Sequence, residues 1–270
     1  LSNIFKEVEL MKYDNPKILM SGNEAIARGA YEAGIVCASA YPGTPSTEIL
    51  ESISLYNEIL SEWSVNEKVA LEVGIGSAVT GARTLVAMKH VGLNVAADPL
   101  LTLSYTGIKG GLVIVVADDP GIHSSQNEQD TRHYARFAKI PCIEPSDSQE
   151  CIDYIKIAFE ISEKFDTPII FRTTTRVSHG ETVVTLGERK EEKKSFLFEK
   201  NAQKFVMIPA FAKIKHAVIE ERLIKLKEYA DTSELNRIEM RDSKIGIITS
   251  SVSYQYCLEE FPDASILKLG

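Results

Sequence analysis

The stretch Leu112–Ala117 reads LVIVVA, an unbroken apolar run with no polar residue inside it. A strand with one wet face alternates apolar and polar residues. Six apolar residues in succession therefore predict a strand covered on both faces, the situation of a parallel sheet between two helical layers. The run is also far short of the roughly 20 apolar residues that a membrane span needs, and no other segment comes closer.

The flanking sequence agrees with that placement. SGNEAIARGAYEAG reads as a helix capped by Ser21 and stopped at Gly34, followed by the strand IVCASAY. TPSTEILESISL restarts a helix, with Thr44 as N-cap and Pro45 at its first position, and SEWSV is a short strand. Glu67–Arg83 is predicted as a helix, TLVAM as a strand, and VAADPLLTLSYTG as a helix broken near Pro99. Beyond the apolar run come the helix QDTRHYARFAKI, the short strand CIEP and the amphipathic helix SDSQECIDYIKIAFEISEKF. Asp147 with Glu150, and Ser146 with Gln149, have capping-box spacing there. PIIFRTT closes the series. Strands separated by helices imply right-handed crossovers, so the expected fold class is α/β, a parallel sheet flanked by helices.

The remainder has a different texture. Gly180 to about Lys204 is polar and reads as a linker or hairpin, and Pro209–Ala230 reads as a long helix. KIGIITSS, YQYCLEEF and SILKLG then read as strand, helix and strand. The expected division is an N-terminal arm (1–16), an α/β domain (17–180), a linker with a long helix (181–242) and the start of a second α/β domain (243–270). A second βαβ unit opened so late predicts that the chain is a portion of a longer polypeptide.

Composition excludes several functions. With 44% hydrophobic residues in 270, the chain can bury a sizeable core. A net charge of −8 without a basic tail is unsuited to nucleic acid, whose phosphates demand clustered Lys and Arg. The charged run ERKEEKK mixes signs and reads as a solvated loop. The N-terminus lacks a signal-peptide core, and a cytoplasmic location without membrane contact is expected. Cys37, Cys142, Cys151 and Cys257 are scattered with no CxxC, so they carry no zinc or iron–sulfur signature and read as small apolar residues in a reducing compartment. No residue is assigned to a metal.

Nucleotide motifs fail on inspection. EVGIGSAVTG offers Gly74 and Gly76, but Val79 stands at the third fingerprint position and the segment lies inside a helix. No GxxxxGK[ST] occurs. The small residues Gly74, Gly76, Ser77, Ala78, Gly81 and Ala82 instead permit close approach of another backbone and predict a domain or subunit interface. The loop YPGTPS, Tyr41–Ser46, is in the plain view a strand-to-helix turn. It also sits at the carboxyl end of a parallel strand, where α/β proteins bind ligands. There the Thr44 hydroxyl and the helix N-terminus would favour a carboxylate.

Taken together, YPGTPSTE, NEKVALEVGIGSAVTGAR, MKHVGLN, DDPGIHSSQNEQDTR and TPIIFRTTTRVSH resemble the N-terminal part of the large (alpha) subunits of the indolepyruvate:ferredoxin oxidoreductases. These form a branch of the thiamine-diphosphate-dependent 2-oxoacid:ferredoxin oxidoreductase family. The resemblance covers about Ile18–His179 and resumes at KIGIITSSVSYQY. It implies a pyrimidine-binding domain followed by the start of a transketolase C-terminal-like domain. It implies oxidative decarboxylation of an aryl 2-oxoacid such as indolepyruvate on thiamine diphosphate, with the acyl group passing to coenzyme A and electrons to ferredoxin. A small (beta) subunit and dimerisation through the pyrimidine domain are implied too. The Mg²⁺ that holds the diphosphate, and the [4Fe–4S] clusters, would lie outside these residues, so the chain alone is expected to be inactive. The alternatives are another 2-oxoacid, such as 2-oxoglutarate or a branched-chain one, and a non-catalytic binding or assembly module of the same fold.

Pyrimidine domains of this family carry a glutamate at a helix start, with a glycine nine positions on. Glu67 with Gly76 and Glu72 with Gly81 both fit. The family's loop glycine beyond the next strand lies 25 residues after the glutamate, which selects Glu67 with Gly92; Glu72 is 20 residues away. Glu67 also sits at the helix start, and Glu72 is about 140° further round the helix. The resemblance makes Glu67 the catalytic carboxyl, bonded to ring N1′ so that the cofactor's own imino group can take the C2 proton; the plain alternative is a carboxylate that merely caps a helix. Pro42, Gly43, Thr44, His90 and Gly92 are implied as cofactor-binding, and Thr44, Lys89 and His90 as substrate-binding. For Lys89 and His90 the plain alternatives are a solvent-facing ammonium and a ring satisfied by backbone. Related pyruvate enzymes place an arginine near the end of the LVIVVA strand, where this chain has Ala117, Asp118 and Asp119. Acids repel a carboxylate, so its anchor is expected from Thr44 or Lys89, and a bulkier substrate than pyruvate is favoured. His123, Gln126 and Asn127 are further candidates; His133, His179 and His216 read as surface or packing residues.

Overall fold

The computed structural model describes residues 17–190, 195–241 and 244–270; the arm at 1–16 and part of the ERKEEKK run lie outside them. In chain order the first elements are β1 (Lys17–Ser21), α1 (Gly22–Glu32), β2 (Cys37–Ala40), α2 (Thr47–Ile53), β3 (Leu60–Trp63) and α3 (Glu67–Val79). Next come β4 (Thr84–Lys89), α4 (His90–Val95), α5 (Ala97–Thr106), β5 (Leu112–Asp118), α6 (Arg132–Ala138), β6 (Cys142–Ile143) and α7 (Ser148–Phe165). The chain continues through β7 (Ile169–Thr174), α8 (Thr175–His179), β8 (Glu181–Thr185), α9 (Ala202–Phe205) and α10 (Pro209–Thr232). It ends with β9 (Arg237–Glu239), β10 (Gly246–Ser250), α11 (Ser253–Glu260) and β11 (Ser265–Leu269).

The main sheet runs β3-β2-β4-β5-β7-β6, and every pairing in it is parallel. β5 lies inside it, and all of its residues are buried. Because side chains alternate along a strand, the two faces carry different cores. Val113, Val115 and Phe171 meet Ile26 of α1, Leu50 of α2 and Ile155 of α7 on one face. Ile114, Val116 and Ile170 meet Leu71 of α3, Leu100 of α5 and Ala135 of α6 on the other. This is the two-sided coverage that the apolar run demanded.

Local signals placed the helix starts well. Ser21 and Glu24 form a reciprocal capping box on α1. Asp147 accepts from the Glu150 N–H at 2.9 Å. The Glu150 carboxylate, however, turns to the Ser146 N–H at 2.8 Å rather than completing that box.

Four sequence expectations are corrected. Thr44 is not an N-cap: α2 begins at Thr47 with Ser46 before it, and the Thr44–Pro45 peptide is cis. A Pro two or three residues ahead of a helix fits a turn as well as position N1, and here Ser46 N and Oγ both donate to the Gly43 carbonyl at 2.8 Å. MKHVGLN is not a loop, since α4 starts at His90. Residues 181–185, inside the stretch expected as a linker or hairpin, are β8, antiparallel to β1, a strand pair 160 residues apart in sequence and so invisible to local pattern. Gly74 does not serve another domain: a Cβ there would lie 2.3 Å from Val86 Cγ2 of β4, so its smallness seats α3 on its own sheet. A Cβ at Gly76 meets nothing within 4 Å, and that side of α3 is open.

The second, small sheet runs β10-β11-β9, with β10 and β11 parallel and β9 antiparallel. It is joined to α7 by charge. Lys268 of β11, wholly buried, donates to Glu150 Oε2 at 2.6 Å and to the Tyr154 hydroxyl at 2.9 Å. Arg237 of β9 donates to Glu150 Oε1 at 2.8 Å. Burial opposes the charged form of Glu150, but the donors from Lys268, Ser146 and Arg237 outweigh it and hold the carboxyl below its usual range. A Lys268→Met variant is expected to lose about 3–5 kcal/mol in urea unfolding, because Glu150 keeps a buried charge without its main partner. The Lys268→Met/Glu150→Gln double variant should recover part of that loss, and strict additivity would refute the coupling.

Candidate functional site

The carboxyl ends of β2 and β5 bring two loops beside the start of α4, which follows β4 directly, and the N-terminus of α3 follows β3 on the same edge of the sheet. Glu67 is the first residue of α3, with Asn66 as N-cap accepting from the Val69 N–H at 2.9 Å. The cap is therefore already supplied, and among the described residues no hydrogen bond or ion pair engages the Glu67 carboxyl. The side chain lies across the backbone of α4: a Cβ at Gly92 would come 2.4 Å from Glu67 Oε1, 2.5 Å from Cγ and 2.7 Å from Cδ. Gly92 is thus required by the glutamate's position. Glu72, on the same helix, is exposed.

Lys89 is only 8% exposed and does not face solvent. Its stem passes Gly43, where a Cβ would come 3.1 Å from Lys89 Cβ, and Nζ donates to the Ser124 carbonyl at 2.9 Å. No carboxylate pairs with it among the described residues. His90 is 1% exposed, with Nε2 3.1 Å from the Asn127 carbonyl and Nδ1 3.4 Å from the Ala117 carbonyl. Both ring nitrogens face backbone acceptors, the plain alternative for this ring. The ring ties the end of β5 to the polar loop. Tyr41, Pro42 and Thr44 are exposed at the rim, and no hydrogen bond engages the Thr44 hydroxyl among the described residues. Buried Asn23 steadies this loop, donating from Nδ2 to the Pro45 carbonyl at 2.7 Å and to Glu48 at 3.0 Å. Nothing in a helical pattern singles out Asn23 beforehand.

Asp118 and Asp119 do not confront a ligand. Asp118, wholly buried, accepts from the Thr131 N–H at 3.0 Å, from the Thr131 hydroxyl and from Arg172 Nε at 2.7 Å. Arg172 also binds Glu144. Asp119, 1% exposed, accepts from the Ser124 N–H (2.8 Å), His123 N–H (3.2 Å), Ser125 Oγ (2.6 Å) and Thr175 Oγ1 (2.8 Å). Burial alone would raise the Asp119 carboxyl, but those donors hold it far below the usual carboxylate range. The repulsion expected between these acids and a substrate carboxylate is therefore spent inside the protein, and it carries no information about substrate size. Arg172 escaped the sequence analysis, although a charge inside PIIFRTT was a usable signal.

His123, Gln126 and Asn127 are exposed on the loop, as is His133 on α6. His179 lies 3.8 Å from Glu48, and His216 stacks on Tyr105. A cavity of about 790 Å³ opens where the ends of β5 and β7 meet the β10–α11 turn, but neither Glu67, Lys89 nor Thr44 lines it. Among the described residues no cluster of His, Cys, Asp or Glu is placed to hold a metal ion, and no helix is long and apolar enough to cross a membrane.

The family "pyruvate flavodoxin/ferredoxin oxidoreductase, thiamine diP-bdg" matches residues 28–240. The chain is 48% identical to the indolepyruvate oxidoreductase subunit IorA of Methanothermobacter marburgensis, over 94% of this chain and 43% of that protein. It is also 48% identical to the IorA of Pyrococcus horikoshii, over 98% of this chain and 43% of that one. The 2-oxoglutarate synthase subunit KorA of Methanothermobacter thermautotrophicus is 28% identical, over 63% of this chain and 48% of its own length. The chain thus spans less than half the length of the relatives it matches. Among solved structures, a 2-oxoglutarate:ferredoxin oxidoreductase from Magnetococcus marinus with 2-oxoglutarate, coenzyme A and succinyl-CoA bound superposes with a TM-score of 0.72. It covers 93% of this chain and 53% of that one at 16% identity, a likeness of fold.

Proposed function

The chain belongs to the thiamine-diphosphate-binding family of pyruvate flavodoxin/ferredoxin oxidoreductases, and from that premise we propose that it is the pyrimidine-binding part of an indolepyruvate:ferredoxin oxidoreductase large subunit. The observation that carries this reading is the Glu67 carboxyl. It stands at a helix N-terminus already capped by Asn66, without a partner of its own, against a glycine that leaves it room. A group so placed fits an aminopyrimidine ring, whose N1′ would share the carboxyl's proton. Thiamine diphosphate, when bound, supplies the carbon acid on which a 2-oxoacid loses CO₂.

The other residues take roles around that contact. The Pro42–Gly43 turn and the free Thr44 hydroxyl border the cofactor and substrate, and Gly92 keeps the backbone of α4 clear of Glu67. The Lys89 ammonium anchors the substrate carboxylate by a charge-assisted bond. His90 orients the loop beside them. The whole enzyme takes an aryl 2-oxoacid, coenzyme A and ferredoxin in the cytoplasm, with a small subunit, Mg²⁺ and iron–sulfur clusters contributed from outside these residues. The open side of α3 at Gly76 is where a second copy docks. Residues 17–180 together with β8 form the cofactor domain, the rest of 181–242 the connection and 243–270 the start of the second domain.

The discriminating measurement is dye- or ferredoxin-coupled oxidation by the full-length subunit in its native assembly, dependent on coenzyme A and thiamine diphosphate. Indolepyruvate is expected to have the highest kcat/KM, with 2-oxoglutarate and branched-chain 2-oxoacids at least about tenfold lower, a gap of about 1.4 kcal/mol in transition-state binding. A preference for 2-oxoglutarate would assign another branch of the family. Absence of cofactor-dependent turnover with every oxoacid would leave a non-catalytic module.

A further inference from the structure

We propose that Asp119 is a positioning residue for the Lys89 ammonium, acting through the Ser124 carbonyl; the inference rests on the reading of Lys89 as carboxylate anchor. An ammonium has three N–H donors, and burial without a counter-charge is costly. Lys89 is 8% exposed, yet the neutral Ser124 carbonyl is its one hydrogen-bond acceptor among the described residues. The remaining donors and the charge are satisfied by the oxygens of an arriving carboxylate. Their direction is set by where Ser124 holds Nζ.

Ser124 in turn is held by Asp119. The Asp119 carboxylate takes the Ser124 N–H at 2.8 Å and the His123 N–H at 3.2 Å, its carbonyl takes the Ile122 N–H at 3.0 Å, and Ser125 Oγ and Thr175 Oγ1 fix the carboxylate itself. The turn so formed is strained. Ile122, a β-branched residue, sits at φ +55°, a conformation that persists only where neighbouring bonds over-determine it. The same turn brings Ser124 Oγ to the Thr44 carbonyl at 3.4 Å, so one buried acid sets the distance between the Lys89 ammonium and the YPGTPS loop. Asp119 itself is too buried to touch a ligand.

The test uses the full-length subunit in its native assembly and an isosteric pair of probes, indole-3-propionate and indole-3-propionamide, with Kd measured by calorimetry. Lys89→Met should weaken the acid about a hundredfold and the amide less than about twofold. Asp119→Asn should weaken the acid about tenfold and spare the amide, and it should have no further effect in the Lys89→Met background. Ser125→Ala, which removes one donor and leaves the fold intact, should give the same acid-selective loss at about threefold. Equal loss for acid and amide, or an Asp119→Asn effect that persists without Lys89, overturns the positioning role and leaves the anchor reading standing. An unchanged acid-to-amide ratio in Lys89→Met alone removes the anchor reading, and the proposal with it.

Discussion

A Glu67→Gln variant folds with essentially unchanged stability and exchanges the C2 proton of bound thiamine diphosphate about 10²–10⁴-fold more slowly than the parent, as expected when a positioned acid–base group is removed. Glutamine keeps the shape of the side chain and its amide N–H can still hydrogen-bond, but it is far too weak an acid to transfer a proton to a ring nitrogen. Folding should tolerate the change, since no bond from the Glu67 carboxyl to the described residues is lost. The forfeited attraction to the helix dipole is worth about 0.3–1 kcal/mol. Glu72→Gln, on the exposed side of the same helix, is the matched control and should leave exchange unaltered. Hydrogen–deuterium exchange at C2 followed by NMR in the assembled full-length enzyme checks both, and parental rates in Glu67→Gln would end the assignment.

Gly92→Ala should separate stability from activity. The added Cβ would fall 2.4 Å from Glu67 Oε1 and 2.7 Å from Cδ, so the carboxyl must move. The atoms it strikes, Cγ at 2.5 Å among them, belong to a flexible side chain that can rotate away, and alanine in α4 recovers about 0.5–1 kcal/mol of helix propensity. The melting temperature should therefore hold or rise slightly. A displacement of about 1 Å at a reacting group costs up to about 10²-fold in rate, and C2 exchange should fall by that order. Calorimetry and exchange on one sample make the comparison. Exchange at the parental rate would mean that Glu67 need not stay where Gly92 lets it lie.

Much of the architecture was legible because it rests on short-range rules. The unbroken LVIVVA run, the Ser21 cap and the Asp147 cap each act between residues within a few positions of one another, and each was found where expected. Glu67 came from the family resemblance and the glycine spacing that it implies, and the structure lays its side chain against Gly92. The pairing of β1 with β8 left no local trace, and neither did the small strand β9.

By itself the sequence determined the α/β class and the placement of the main strands and helices, because periodicity and capping are properties of neighbours along the chain; Glu67 was singled out only through the family resemblance. Only the tertiary structure decided what the polar residues do. Asp118 meets Arg172 across 54 residues, Lys89 meets Ser124 across 35, and His90 meets Asn127 across 37. A buried charge or imidazole takes its partner from whatever the fold carries to it, so its role is set by three-dimensional proximity and desolvation and not by residue type.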